Sequence, residues 1–188
     1  MPLAETASTF NETIVKKAAL KELSDNEALS VLEAEISGNN QVIVDIYSRF
    51  LFESNFFEAR KNGPLSAREI CNLMSEAQKE SYGDGLDETA LHPYMWTWKP
   101  HYYYADANFY NFPYAFGQLF AKGLYAIYLE KGESFIPEYK KLLASTGKMS
   151  IYEAAQSVGI DIHDIAFWNN SFQMMFEDID TFIQLLAK

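Results

Sequence analysis

Apolar residues along this chain recur with the 3.6-residue period of an α-helix almost throughout. Helical periodicity covers residues 3–23, 24–62, 66–82, 107–130, 133–146 and 150–186, whereas residues 85–100 show no clear period. No segment alternates apolar and polar residues between hairpin turns, as paired strands would. The sequence therefore predicts an all-α fold, a multi-helix array in which residues 1–188 form a single α-helical domain.

Local signals set the limits of several of these helices. Ser-x-x-Glu capping boxes predict helix starts at Ser24, Ser66 and Ser150. Glycines predict helix ends at Gly63, Gly83, Gly147 and Gly159. The Gly38-Asn39-Asn40 sequence predicts a break within residues 24–62, and Asp161 or Asp164 begins the last helix.

Residues 91–117 contain eleven aromatic side chains and two of the three histidines of the chain. Tyrosine dominates this stretch, and a buried tyrosine hydroxyl needs a hydrogen-bond partner. Such a concentration favours the wall of a binding pocket. The alternative is a tyrosine-rich structural helix whose hydroxyls are satisfied by the backbone.

The helix predicted for residues 107–130 has two distinct faces on a helical wheel. The predicted core face consists of Phe112, Phe116, Leu119, Phe120, Gly123 and Ile127. The opposite face carries phenols, amides and a lysine, at Tyr110, Asn111, Tyr114, Gln118, Lys122 and Tyr125. Pro113 disfavours a helix interior, so the helix either begins between Asn108 and Phe112 or is kinked there.

Two other groups of residues have open interpretations. Glu5 and Glu12 are seven residues apart and project from the same side of the first predicted helix. They suit a metal ligand and a carboxylate that orients a ligand, but also a solvated helix face or a capping box of Thr9 and Glu12. The sequence from Arg49 to Glu53, with the phenylalanines that follow, indicates core packing with a charged flank.

Composition limits the classes of partner. The chain of 188 residues is 48% hydrophobic and 22% charged, which suits a globular domain with a sizeable core. Its formal net charge of −11 disfavours nucleic acid and anionic membranes as partners. The single Cys71 excludes an internal disulfide and favours a reducing compartment. With no apolar run of membrane-spanning length and no signal-peptide pattern, the expected location is the cytoplasm.

Residues 2–12 resemble one segment of the zinc peptidases of the oligoendopeptidase F and thimet oligopeptidase group. That segment carries the family's third zinc ligand, the Glu of a Glu-x-x-Ser pattern. Glu5 matches the zinc ligand and Ser8 completes the pattern, while Glu12 falls where the family would have a carboxylate that supports the metal ligands.

A second stretch resembles the histidine and tyrosine region with which the family binds substrate and stabilises the tetrahedral intermediate. It comprises residues 100–103 and 109–117. His101 and Tyr114 match best, Tyr110 next, and then Tyr103 or Tyr104. Both stretches occur in the family's order, and the resemblance covers nearly the whole chain.

The chain departs from the family in one respect that bears on chemistry. It contains no His-Glu-x-x-His, and His92, His101 and His163 have no metal-ligand spacing. A catalytic zinc normally needs three protein ligands, and the resemblance accounts for one. The resemblance therefore implies the carboxy-terminal part, or second half, of a zincin-type oligopeptidase catalytic domain, with an incomplete zinc site.

Three functions remain open from the sequence. The first is part of a zinc-dependent oligoendopeptidase that hydrolyses short peptides and is inactive as this chain alone. The second is an α-helical remnant that binds peptides without cleaving them. The third is a subunit that completes a partner chain carrying His-Glu-x-x-His. The expected partners are short peptides, together with either the missing amino-terminal half of the catalytic domain or a second copy of the chain.

Overall fold

The computed structural model describes Leu3 and residues 5–188, so Met1 lies outside the described residues, as do Pro2 and Ala4 of the first family-like segment. The described residues contain no β-strand, which confirms the all-α prediction. Their α-helices are α1 (Thr6–Ala19), α2 (Asp25–Asn40), α3 (Ile46–Arg60), α4 (Ala67–Tyr82), α5 (Phe112–Lys131), α6 (Ile136–Ser145), α7 (Ile151–Gln156) and α8 (Ile165–Leu186).

The predicted caps are present at the helix starts. Ser66 and Ser150 form complete capping boxes at α4 and α7, in which each serine accepts from the backbone three residues on and the glutamate accepts in return. At α2 the backbone N–H of Ser24 donates to the Glu27 carboxylate at 3.0 Å. Asp164, one of the two predicted candidates, caps α8 by accepting from the N–H of Ala166.

The predicted break at Gly38 is wrong. Instead, α2 continues through a π-helical segment, Gln41–Asp45, directly into α3. A π-helical turn inserts an extra residue without ending the helix, and it changes which side chains face inward. Here it buries the carboxylate of Asp45, which is only 4% exposed.

The described chain divides into two compact units. The first comprises Met1–Gly38 and Phe116–Lys188, and the second comprises Asn39–Ala115. The first unit has a core of aliphatic and aromatic side chains from α1, α5, α6, α7 and α8, including Phe10, Phe120, Leu124, Leu142 and Phe167. A single domain over residues 1–188 stays a prediction.

Helix α5 departs from its predicted two-faced pattern. It begins at Phe112 with Pro113 in its first turn, as one of the two predicted alternatives required. Yet Phe112, assigned to the core face, is 52% exposed, while Lys122 and Tyr125 from the opposite face are 2% and 7% exposed. All six residues from Phe120 to Tyr125 are buried, because other helices of the first unit surround this part of α5.

Burial of Lys122 is offset by a carboxylate from α2. The Lys122 ammonium lies 2.7 Å from Glu35, which also pairs with Lys16 of α1. Burial opposes the charged form of Glu35, but Lys122 and Lys16 outweigh it and hold the pKa of Glu35 below its usual value. Removing one partner of such a buried pair leaves an uncompensated charge, which typically costs about 3–5 kcal/mol.

In the second unit, α3 packs against α4, with Phe52, Met74 and Ala77 at the centre of a small core. The connection from α4 to α5 consists of short 3-10 turns, including Pro100–Tyr103. The buried Gln78 of α4 holds this connection in place through two hydrogen bonds to the backbone of His92. The Gln78 side-chain N–H donates to the His92 carbonyl, and the Gln78 side-chain oxygen accepts from the His92 N–H, both at 3.0 Å.

None of the described helices combines the length and the hydropathy needed to cross a lipid bilayer. Helix α8 nevertheless exposes a row of large apolar side chains. The row follows helical spacing along its second half, at Phe176, Ile179, Ile183 and Leu186.

The close approach of α5 and α8 gives a test of this packing. A Cβ on Gly123 would lie 2.6 Å from Cζ of Phe167 and 2.9 Å from Oγ of Ser171, whereas a Cβ on Gly38 of α2 would meet nothing within 4 Å. We expect Gly123→Ala to lower the free energy of unfolding by about 1–3 kcal/mol through overpacking. Gly38→Ala should raise it by up to about 1 kcal/mol through helix propensity. Urea denaturation of both variants measures the difference, and equal effects would contradict the packing.

Candidate functional site

The second unit brings together three of the residues that the sequence predicted as a site. The ring of His101 stacks on that of Tyr110, with centroids 5.7 Å apart and an interplanar angle of 13°. It meets the edge of Tyr114 at 6.2 Å, and Tyr110 and Tyr114 contact each other at 6.4 Å. These distances are within the range of favourable aromatic pairs. We call His101, Tyr110, Tyr114 and the adjoining Tyr104 the ring cluster.

Tyr104, rather than Tyr103, is the neighbouring tyrosine that contacts His101. Its ring lies 6.2 Å from that of His101 in an edge-on arrangement. The hydroxyl of Tyr103 instead donates to the backbone carbonyl of Trp96 at 3.1 Å. Among the residues at 102–104, Tyr104 is therefore the one that the geometry associates with the predicted histidine.

A turn held by α3 delivers Tyr110 to the ring cluster. Phe109 has a φ of 58°, in the left-handed region that residues other than glycine rarely adopt. Its N–H donates to Oε1 of Glu53 at 2.9 Å, and its ring packs against Phe50 and Phe57 of α3 at 5.6 and 5.7 Å. These contacts stabilise a backbone conformation that would otherwise cost about 1–3 kcal/mol.

A second attachment to α3 involves buried charges. The guanidinium of Arg49 pairs with the Asp45 carboxylate and donates to the Asn111 side-chain oxygen at 3.1 Å. All three residues are at most 5% exposed. Because Asn111 lies between Tyr110 and the start of α5, Arg49 fixes the segment from which both Tyr110 and Tyr114 project.

Electrostatics around the ring cluster favour a neutral histidine. Partial burial lowers the pKa of His101, and the nearby positive charges of Arg49 and Lys99 lower it further. All three effects favour the uncharged form of the imidazole. Its Nδ1 is buried and accepts or donates no hydrogen bond within the described residues.

An open cavity of about 490 Å³ lies in the same unit, which we call the aromatic cavity. Its wall consists mainly of aromatic side chains from α3 and from residues 96–104, with Ile70 of α4. Tyr104 belongs both to this wall and to the ring cluster. Glu53 also lines the cavity, and burial raises the pKa of its carboxyl group despite the hydrogen bond from Phe109.

The other predicted site residues lie on α1 and just before it, in the first unit. Glu5 is exposed, and its Oε2 accepts from the hydroxyl of Ser8 at 2.9 Å, so the Glu-x-x-Ser pair is in contact. Glu12 forms an ion pair with Lys16 at 2.8 Å. Across Leu3 and residues 5–188, no three His, Cys, Asp or Glu side chains are grouped so that they could hold a metal ion.

The remaining histidines and the cysteine lie elsewhere. His163 is exposed and packs against Tyr152 at 5.0 Å. The ring of His92 lies beside Trp98. Cys71 of α4 is a partly buried free thiol.

Sequence reasoning missed the roles of Arg49 and Glu53, which it interpreted as the charged flank of a packing helix. Both side chains are buried and hold the segment 109–111. The available signal was the spacing of Asp45, Arg49 and Glu53 at four-residue intervals, which puts three charged groups on one side of a largely apolar helix.

Comparisons with known proteins point to one group of peptidases. The chain is 25% identical to oligopeptidase PepF of Bacillus subtilis and 27% identical to an oligoendopeptidase F homolog of Lactococcus lactis; each match covers 99% of this chain. It spans 28% and 31% of the lengths of these two relatives. No sequence profile of a known protein family matches the chain.

The fold agrees with these sequence matches. The crystal structure of oligoendopeptidase-F from Enterococcus faecium superposes with a TM-score of 0.85 at 24% identity, covering 99% of this chain and 36% of that structure. Since these relatives match along nearly the whole chain and the fold is shared, the chain is a homologue of the oligoendopeptidase F peptidases over almost all of its length.

Proposed function

We propose that this chain contributes the substrate-binding and transition-state-stabilising wall of a zinc-dependent oligoendopeptidase that hydrolyses short peptides. The observation that carries the proposal is the contact of His101 with Tyr110 and Tyr114 in the ring cluster. The names of the relatives, oligopeptidase and oligoendopeptidase, support the reaction class.

In this proposal the ring cluster supplies hydrogen-bond donors to a reacting peptide. The hydroxyl of Tyr114 is a hydrogen-bond donor on a side chain that is 44% exposed and therefore accessible to a bound peptide. A neutral His101 carries one N–H and can donate without bringing a full positive charge to the substrate. A donor aimed at a developing oxyanion is worth about 3–4 kcal/mol of transition-state stabilisation. Tyr110 and Tyr103 are proposed to complete the wall, Tyr110 through its stacking on His101.

Glu5 is proposed as one zinc ligand. Its carboxylate is exposed, and the hydrogen bond from Ser8 fixes its orientation, as the hydrogen-bonded carboxylate ligands of metal sites require. Glu12 would support the ligands in the complete enzyme. The other ligands and the general base would have to come from outside this chain, since catalytic zinc normally takes three protein ligands. Zinc in such a site would polarise the scissile carbonyl.

The proposed setting is the cytoplasm, which suits the unpaired Cys71. Nucleic acid and anionic membranes are not proposed as partners, because the net charge is −11. The proposed partners are short peptides and either the remaining part of a catalytic domain or a second copy of this chain.

The isolated chain should neither hold zinc in a one-to-one ratio nor cleave peptides. One carboxylate cannot replace three ligands and a base, so we expect elemental analysis after dialysis to find far less than one zinc per chain. A fluorogenic peptide should remain uncleaved with or without added zinc. One tightly held zinc per chain, together with hydrolysis that a chelator abolishes, would show that the chain is a complete enzyme.

The role of the ring cluster can be measured in a chimera. The matching part of Bacillus subtilis oligopeptidase PepF would be replaced by this chain, so that the remaining catalytic residues come from the relative. Tyr114→Phe removes one donor and keeps the ring, so kcat should fall about 100-fold or more with little change in KM. Tyr94→Phe is the matched control, since Tyr94 is 58% exposed in the same unit and outside the ring cluster.

Two outcomes would favour the alternatives. If the chimera binds peptide but Tyr114→Phe and Tyr94→Phe have the same kcat, the ring cluster is structural. If activity instead appears when this chain is mixed with a separate chain that carries His-Glu-x-x-His, it acts as a completing subunit.

The exposed row on α8 should make the isolated chain associate. Phe176 and Ile183 are 55% and 57% exposed and lie two turns apart on one side of the helix. Exposed apolar surface of this kind commonly marks an interface. We expect light scattering to give an apparent mass that rises with protein concentration. The double substitution Phe176→Glu and Ile183→Glu should restore a monomer, while Val15→Glu, at an exposed apolar position on α1, should not. A concentration-independent monomer in the wild type would refute this.

A further inference from the structure

The aromatic cavity combines an apolar wall with a buried carboxylate. Seven of its eleven lining residues are aromatic, and its volume of about 490 Å³ is within the range of small-molecule sites. Glu53 is the one charged residue among those eleven, and it is 6% exposed. A cavity with this lining differs from a purely apolar groove, because it presents a negative charge to whatever enters.

The Glu53 carboxylate has no cationic partner within the described residues. Its one hydrogen bond there is the donation from the N–H of Phe109 to Oε1. Arg49, one helical turn earlier, is already engaged with Asp45 and Asn111. Lys99 lies over the ring of Trp98, 4.0 Å from its centroid. A buried carboxylate without a counter-charge is energetically costly, so binding a cation would offset that cost.

The aromatic wall favours the same kind of ligand. The faces of tryptophan, tyrosine and phenylalanine rings attract cations, most strongly when the site is shielded from water. Trp96 and Tyr102 line the cavity together with Phe52 of α3. An organic cation with an apolar body would satisfy both the rings and the carboxylate, whereas a hydrated metal ion would gain little from the rings.

We infer that the aromatic cavity is a binding site for an organic cation with an apolar body, such as an aralkylammonium ion or the side chain of a basic residue, with Glu53 as its counter-charge. The site is distinct from the ring cluster, although Tyr104 belongs to both. The inference concerns binding alone, so its test does not depend on whether the proposed peptidase function is correct.

The test compares two probes of similar size on the full chain by isothermal titration calorimetry. Phenethylammonium carries the positive charge, and 2-phenylethanol replaces it with a neutral hydroxyl. We expect phenethylammonium to bind at least about 10-fold more tightly than 2-phenylethanol, a difference of about 1.4 kcal/mol. Equal affinities, or no binding of either probe, would overturn the inference.

Variants then assign the charge to Glu53. Glu53→Gln keeps an oxygen that can accept from Phe109 but removes the charge, so it should weaken phenethylammonium about 10-fold and leave 2-phenylethanol unchanged. Glu58→Gln on the same helix is the control, because Glu58 is exposed and pairs with Lys61. Unchanged phenethylammonium binding in Glu53→Gln would refute the assignment.

A third variant tests the location of the site even if Glu53→Gln fails to fold. Ala105 is exposed and lies in the cavity wall, so Ala105→Trp should fill the cavity without disturbing the core. Binding of both probes should then be lost while the melting temperature stays within a few degrees of the wild type. Retained phenethylammonium binding in Ala105→Trp would locate the site elsewhere and overturn the inference.

Discussion

The turn that brings Tyr110 to the ring cluster depends on the hydrogen bond from the Phe109 N–H to the buried carboxylate of Glu53. A phenylalanine with a φ of 58° is held in a conformation that its own sterics oppose. The carboxylate and the two phenylalanine rings of α3 compensate for that strain, and the reversal at Phe109 lets Tyr110 return to the ring of His101. Side chains of α3 therefore position the ring cluster, together with the helix that carries Tyr114.

The sequence predicted the helices well because their limits are encoded locally. The side chain and backbone of Ser66 and Glu69 are within three residues of each other, so their capping box can be recognised without knowing the fold. The same holds for Ser150 and for the glycines that end helices with a positive φ. At Gly38 the local signal misled, because a helix interior can tolerate one glycine and a π-helical turn can follow it.

Burial could not be predicted in the same way, because it depends on partners far away in sequence. A wheel drawn for α5 puts Lys122 on the solvent side, and only the position of Glu35, 87 residues earlier, makes its burial tolerable. Arg49 is a comparable case, since its partner Asn111 is 62 residues away. For the site, sequence resemblance selected His101, Tyr110 and Tyr114, which do come together, but it could not distinguish Tyr103 from Tyr104.

Tyr104 is shared by the ring cluster and the aromatic cavity. Its ring contacts that of His101 and also forms part of the wall of the aromatic cavity, where Glu53 supplies the negative charge. Glu53 in turn accepts from Phe109, the residue before Tyr110. A cation near Glu53 would favour the ionised carboxylate, and an ionised carboxylate is the stronger acceptor for that N–H. Occupancy of the cavity would thus strengthen the hydrogen bond that holds Phe109, the residue next to Tyr110 of the ring cluster.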